Sequence, residues 1–147
     1  MEKGRMAMKK RLVFLVACLV LCLVFAPSVW SRAKTIKIGI NAPMTGDIPK
    51  VGEGSKFAGQ MWLEDVNKAG GIKVGDKRYK VELIVEDNES KAESAVKAAT
   101  KMIVEDEVLA LVGPQSSKQA VPAGSVANVY KTPMISPWST NPDTTKD

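Results

Sequence analysis

The chain has 147 residues, with 21 lysines and arginines, 16 aspartates and glutamates, two cysteines and no histidine. Its formal charge of +5 misleads, because six of the basic residues and one of the acids lie in residues 1–33, leaving 15 of each sign beyond them. A neutral remainder removes the electrostatic case for nucleic acid or an acidic membrane surface, and the missing histidine leaves the chain no base of its own for a Ser-His-Asp or Cys-His centre and no His-ligated zinc.

Residues 1–33 read as a secretory signal peptide. Lys9-Lys10-Arg11 precedes an unbroken apolar run from Leu12 to Ala26, followed by Pro27 and the small-residue exit Ser31-Arg32-Ala33. That run of 15 residues falls short of the roughly 20 that a permanent membrane helix needs. Leu15-Val16-Ala17-Cys18 fits a lipoprotein cleavage pattern, but it comes too early, with more apolar chain after it. Cleavage after Ala33 removes both Cys18 and Cys22, so no disulfide or thiol chemistry remains. Residues 34–147 are enough for one modest core.

Thr35 to Ile40 alternates as a strand and enters Asn41-Ala42-Pro43. Met44 to Gly54 reads as a loop with Gly46, Pro49 and Gly52 as turn residues, and a helix is predicted from Ser55. Its apolar face is Phe57, Ala58, Met61, Trp62, Val66 and Ala69, which makes Trp62 a core residue, and Gly70-Gly71 ends it. A second strand spans Tyr79 to Val85 and ends in Glu86-Asp87-Asn88, of which Asp87 and Asn88 read as turn and cap residues. Ser90 and Glu93 have the spacing of a capping box for a second helix, striped by Ala92, Ala95, Val96, Ala99, Met102 and Ile103. Val108 to Val112 is a third strand. Val121 to Tyr130 is a third helix with Ala123, Val126, Ala127 and Tyr130 inward, and Thr132 to Ile135 is a short fourth strand.

Strict alternation of strand and helix predicts an α/β fold, a parallel sheet with helices on both faces. In such a sheet all strand carboxyl ends share one edge, and ligands bind in the crevice there. Gly113-Pro114-Gln115-Ser116-Ser117 and Ser136-Pro137-Trp138-Ser139-Thr140 are then neighbours, although about twenty residues separate them. Both are small, hydroxyl-rich loops that offer N–H groups, carbonyls and hydroxyls without bulk. Ser116 and Ser117 have a simpler reading as caps of the third helix. Trp138 either lines the crevice or packs on a neighbouring loop. No G-x-x-x-x-G-K or G-x-G-x-x-G pattern supports a nucleotide site.

The stretches "IKIGINAPMTGDIPKVGEGSKFAGQMWLEDVNKAGGI", "VELIVEDNES", "ALVGPQSS" and "TPMISPWSTNP" resemble the periplasmic branched-chain amino-acid-binding proteins of ABC transporters, from about Thr35 to Asp147. The resemblance implies a type I periplasmic binding fold, two α/β lobes that close on a small ligand, of which residues 34–147 would form an incomplete N-terminal lobe. It implies that Ser117, with Ser116 as second choice, binds the ligand carboxylate. It also implies that Trp138, by its backbone carbonyl, and Thr140 surround the α-amino and carboxylate groups, with Ser139 between them. Val51 stands where some members place an aromatic, and small residues are more usual at the place of Trp138; both departures bear on side-chain specificity. The implied partners are an amino acid or similar small molecule and an ABC-transporter membrane permease, in the periplasm or outside the cell, with no metal, cofactor or nucleic acid. Two other functions fit the same lobes: a ligand-sensing receptor ectodomain, and a binding protein for amides, urea-like molecules or aromatic acids. An enzyme would need its base from another part of the protein.

Overall fold

The computed structural model describes residues 35–146; the predicted signal peptide, the lipoprotein-like stretch and both cysteines lie outside them. In chain order the elements are strand β1 (Ile36–Ala42), helix α1 (Pro49–Lys68), strands β2 (Ile72–Val74), β3 (Lys77–Tyr79) and β4 (Val81–Asp87), helix α2 (Ala92–Val104), strand β5 (Ala110–Val112), helix α3 (Ser117–Val129), strand β6 (Met134–Ile135) and a 3₁₀ turn at Pro142–Thr145. The main sheet has the order β4-β1-β5-β6, and every pairing in it is parallel.

Side chains alternate across β1, so Gly39 and Ile40 face opposite layers. On the Gly39 side, α2 and α3 supply a core of Ala95, Ala98, Ala99, Met102, Ala123 and Ala127 against Val108 and Leu111. The contact is close: a Cβ at Gly39 would stand 2.7 Å from both Leu111 Cδ2 and Met102 Sδ. On the Ile40 side α1 packs on β1 and β4, again closely, since a Cβ at Gly59 would lie 2.5 Å from Ile40 Cδ1. Helices therefore cover both faces, as the alternating pattern predicts.

Five expectations need correction. Helix α1 begins at Pro49 rather than Ser55, with proline in the first turn, where its missing N–H costs nothing. Gly52 and Gly54 read as loop residues because glycine disfavours helix. The fold requires glycine at 52 for a different reason, since a Cβ there would meet the Pro43 carbonyl oxygen at 2.2 Å. Helix α3 likewise starts at Ser117 rather than Val121, and Tyr130 is its half-exposed C-cap rather than an inward residue.

Trp62 is not a core residue. It is 42% exposed, and Phe57 and Met61 are more so. Because α1 lies over β1 and β4, the same face of β5 and β6 is left as an apolar groove of about 550 Å³ lined by Trp62, Ile40, Leu83, Val112, Ile135 and Pro137 among others.

Finally, the single strand expected over Tyr79 to Val85 is two. Tyr79 pairs with Ile72 in an antiparallel hairpin, turned by Gly75-Asp76 with Gly75 at φ 60°, as a two-residue hairpin loop with glycine first prefers. Lys80 breaks the run, and its carbonyl accepts the Ile36 N–H at 2.8 Å. Asn67 meets the start of β4 from α1, donating to the Val81 carbonyl and accepting the Val81 N–H at 2.8 and 2.9 Å.

Candidate functional site

The connection after β1 leads to β4 on one side and the connection after β5 leads to β6 on the other, so a crevice opens at the carboxyl ends between β1 and β5. The loops after β1, β4, β5 and β6 all reach that edge.

The two hydroxyl loops meet. Ser117 Oγ accepts hydrogen bonds from Ser139 Oγ at 3.0 Å, Thr140 N at 3.2 Å and Asn141 N at 3.3 Å. Ser136 Oγ donates to the Pro114 carbonyl, and Ser139 N donates to Ser136 Oγ at 3.3 Å. Ser117, Ser139 and Thr140 are thus brought together, and Thr140 is exposed. Trp138 is 58% exposed and follows Pro137 at the same rim. Ser116 serves as N-cap of α3, but its hydroxyl makes no capping bond. Val51 stands apart from the expected loop: it is a half-buried residue in the first turn of α1.

The loop after β1 is held from below by the loop after β4. The Asp87 carboxylate accepts from Met44 N at 2.9 Å, Thr45 N at 3.1 Å, Thr45 Oγ1 at 2.6 Å and Glu89 N at 2.8 Å. Partial burial alone would push its carboxyl up; the Thr45 hydroxyl and the N–H groups of Glu89, Thr45 and Met44 outweigh that and hold it below the ordinary 3.8. The reading of Asp87 and Asn88 as turn residues captures the bonds to Glu89 N and Ser90 N but not these longer reaches.

Ser90 is not half of a capping box. The N-cap of α2 is Lys91, without a side-chain bond. The Ser90 hydroxyl instead accepts from Asp47 N at 3.0 Å and Ile48 N at 3.4 Å and donates to the Thr45 carbonyl at 3.0 Å. Ser90 is buried and sits in the left-handed region at φ 57°, a conformation costly for a residue with a Cβ and sustained by these bonds. Below it, Asn88 Nδ2 donates to Asn41 Oδ1 at 3.0 Å, and Asn41 Nδ2 donates to the Ala95 carbonyl at 2.9 Å.

Two glutamines complete this polar layer. Gln115 Nε2 donates to Ser55 Oγ at 2.6 Å, and Ser55 Oγ donates to the Val51 carbonyl at 2.9 Å. Gln119 Nε2 donates to the Ser90 carbonyl. Both side chains are buried, and among the described residues neither Oε1 atom has a hydrogen-bond partner; a buried acceptor left unpaired costs about 1–3 kcal/mol. Position 113 is equally constrained: Gly113 has φ 92°, and a Cβ there would stand 2.2 Å from the Asn41 carbonyl oxygen. Asn41, Ser90, Gln115 and Gln119 escape a reading of apolar periodicity. The available signal was a polar residue at a buried place, such as Gln119 beside Ala120 and Ala123 on α3.

Chemically the rim suits an anion. Ser117 Oγ is used as an acceptor by three donors, which leaves its proton to give. The first turn of α3 carries the positive end of the helix dipole, and within it Gln119 N and Ala120 N donate to the Ser116 carbonyl at 3.0 and 2.8 Å. Among the described residues no group of three or more Asp, Glu, His or Cys is placed to hold a metal ion, and none of their helices is long and apolar enough to cross a membrane.

The family model described as periplasmic binding protein matches residues 35–147. A Leu/Ile/Val-binding protein of Rhizobium johnstonii is 36% identical over 132 residues, covering 90% of this chain and 34% of the relative. The branched-chain amino-acid transporter substrate-binding protein LivJ of Streptococcus pneumoniae, solved in complex with isoleucine, superposes with a TM-score of 0.69 at 31% identity over 76% of this chain and 31% of that one. A solute-binding protein of an ABC transporter from Rhodopseudomonas palustris, solved with 3,4-dihydroxybenzoic acid, gives 0.58 at 27% identity over 71% of this chain and 27% of that one. The chain spans about a third of the length of these proteins. With the matched region coinciding with the whole described sheet, its helices and its rim, the chain belongs to the periplasmic binding protein family.

Proposed function

We propose that residues 34–147 form part of the ligand-binding lobe of an extracytoplasmic solute-binding protein, exported by the signal peptide of residues 1–33, that captures a branched-chain or related amino acid and delivers it to an ABC-transporter permease. The observation that carries this reading is the union of the two hydroxyl loops at Ser117. In this role the Ser117 hydroxyl and the N–H groups at the start of α3 hold the carboxylate. Thr140, Ser139 and the backbone carbonyl of Trp138 take the remaining polar positions, Ser116 supports the same turn, and Val51 lies in the first turn of α1. Similarity to a protein solved with isoleucine supports an aliphatic amino acid as ligand.

The function needs no cofactor, metal or nucleic acid. A second reading, capture of an aromatic acid, draws on the exposed Trp138 at the rim and on the relative solved with 3,4-dihydroxybenzoic acid. Calorimetric titration of the full-length protein with leucine, isoleucine, valine and 3,4-dihydroxybenzoate separates the two. Heat from an aliphatic amino acid alone supports the first reading, heat from the benzoate alone replaces it with the second, and silence with all four rejects both.

A further inference from the structure

Gln115 and Gln119 stand four residues apart, on either side of the Ser116-Ser117 turn, and reach to different parts of the molecule. Gln115 leads through Ser55 to the Val51 carbonyl in the first turn of α1. Gln119 leads through the Ser90 carbonyl, and the Ser90 hydroxyl then holds Asp47, Ile48 and Thr45. Both paths therefore begin at the turn carrying Ser117 and end at the segment 45–51 across the crevice.

The amide orientations are dictated by the partners. Ser55 already gives its proton to Val51, so it can only accept from Gln115; the Ser90 carbonyl can only accept from Gln119. Each glutamine is thereby left with a buried Oε1 that has no partner among the described residues. A residue kept for stability alone has an easier solution, since methionine has nearly the same length and no orphaned oxygen. What methionine lacks is direction.

From this we infer that Gln115 and Gln119 are positioning residues that set the separation of the Ser117 turn from the loop after β1, and so the width of the crevice for an amino acid. The inference rests on the binding role proposed above, and its test includes a measurement that needs no ligand. Gln115→Met and Gln119→Met in the full-length protein are compared with wild type by thermal unfolding, by calorimetric titration with isoleucine, and by amide hydrogen exchange without ligand. Each variant is expected to unfold within about 3 °C of wild type. Exchange across residues 45–51 is expected to quicken about fivefold or more, at Asp47 and Ile48 in Gln119→Met and near Val51 in Gln115→Met. Affinity for isoleucine is expected to fall about fivefold or more. Unchanged exchange in both variants overturns the inference, and so does faster exchange with unchanged affinity. A loss of folding, or a fall in unfolding temperature that tracks the loss of affinity, also overturns it by assigning the amides a structural role. If wild type binds none of the amino acids, the binding role fails by itself and exchange alone decides the positioning.

Discussion

Beneath α2 and α3 the sheet is packed by Ala95, Ala98, Ala99, Met102, Leu111 and Ala123, all buried and apolar. At the carboxyl edge of the same strands the buried polar residues are Asn41, Asn88, Ser90, Gln115 and Gln119. Apolar packing is non-directional and roughly proportional to area, so it stabilises the layers without fixing any loop to a fraction of an ångström. Hydrogen bonds add only about 1 kcal/mol each in net terms, but they are directional and costly to leave unmade. The molecule holds its layers together with the first kind of contact and aims its rim with the second.

This contrast can be broken most forcefully in the apolar layer. Met102→Ala leaves a cavity under Leu111 and Gly39 and is expected to cost about 2–5 kcal/mol in urea unfolding, with ligand affinity little changed at temperatures where the protein stays folded. A parallel loss of affinity would show that the two layers are not separable. Asn88→Ala attacks the polar layer, leaving Asn41 Oδ1 and Ser90 N without partners. About 1–3 kcal/mol of stability should be lost, and here affinity should fall as well, because Ser90 carries the loop after β1. Stability and titration measured on one preparation give both answers.

Smaller effects sharpen the comparison at the rim itself. Ser117→Ala and Thr140→Ala are each expected to weaken ligand binding about tenfold, or about 1.4 kcal/mol, and unchanged calorimetric affinity in both would remove them from the site. The weakest effect belongs to Asp87, whose carboxyl is partly buried yet held below its ordinary value by the Thr45 hydroxyl and the N–H groups of Glu89, Thr45 and Met44. A depressed folded value means that its stabilising contribution is complete above the unfolded value, about 3.9, and is lost as pH falls through the lower folded one. Asp87→Asn should flatten the acid limb of the stability profile below about pH 4 while leaving its slope near neutrality unchanged. An unaltered acid limb would mean that the bonds from Met44, Thr45 and Glu89 do not favour the charged form.

How much was legible beforehand varied with the kind of contact. The stripe Ala95, Ala99, Met102 was readable because one apolar face recurs at helical spacing, and all three are buried. Trp62 misled for the same reason: spacing shows which side of α1 is apolar but not whether anything covers it, and β5 and β6 extend beyond the reach of α1. The start of α1 misled because Gly52 scores as a helix breaker, while the approach of Pro43 leaves space for nothing larger. At the rim, Ser117, Ser139 and Thr140 were readable as a cluster because parallel topology brings consecutive carboxyl ends to one edge. The partners of Ser90 were not, since its bonds to Thr45, Asp47 and Ile48 cross more than forty residues of chain.

The amino-acid order by itself determined the alternation of strand and helix, and through it a parallel sheet with its loops gathered on one side, because side-chain periodicity and chain connectivity are local properties. Only the tertiary structure decided which hydroxyls face each other, where the glutamine amides point and how much of α1 is covered. Those depend on distances between segments remote in sequence, and a hydrogen bond or a steric contact is made or lost within about half an ångström.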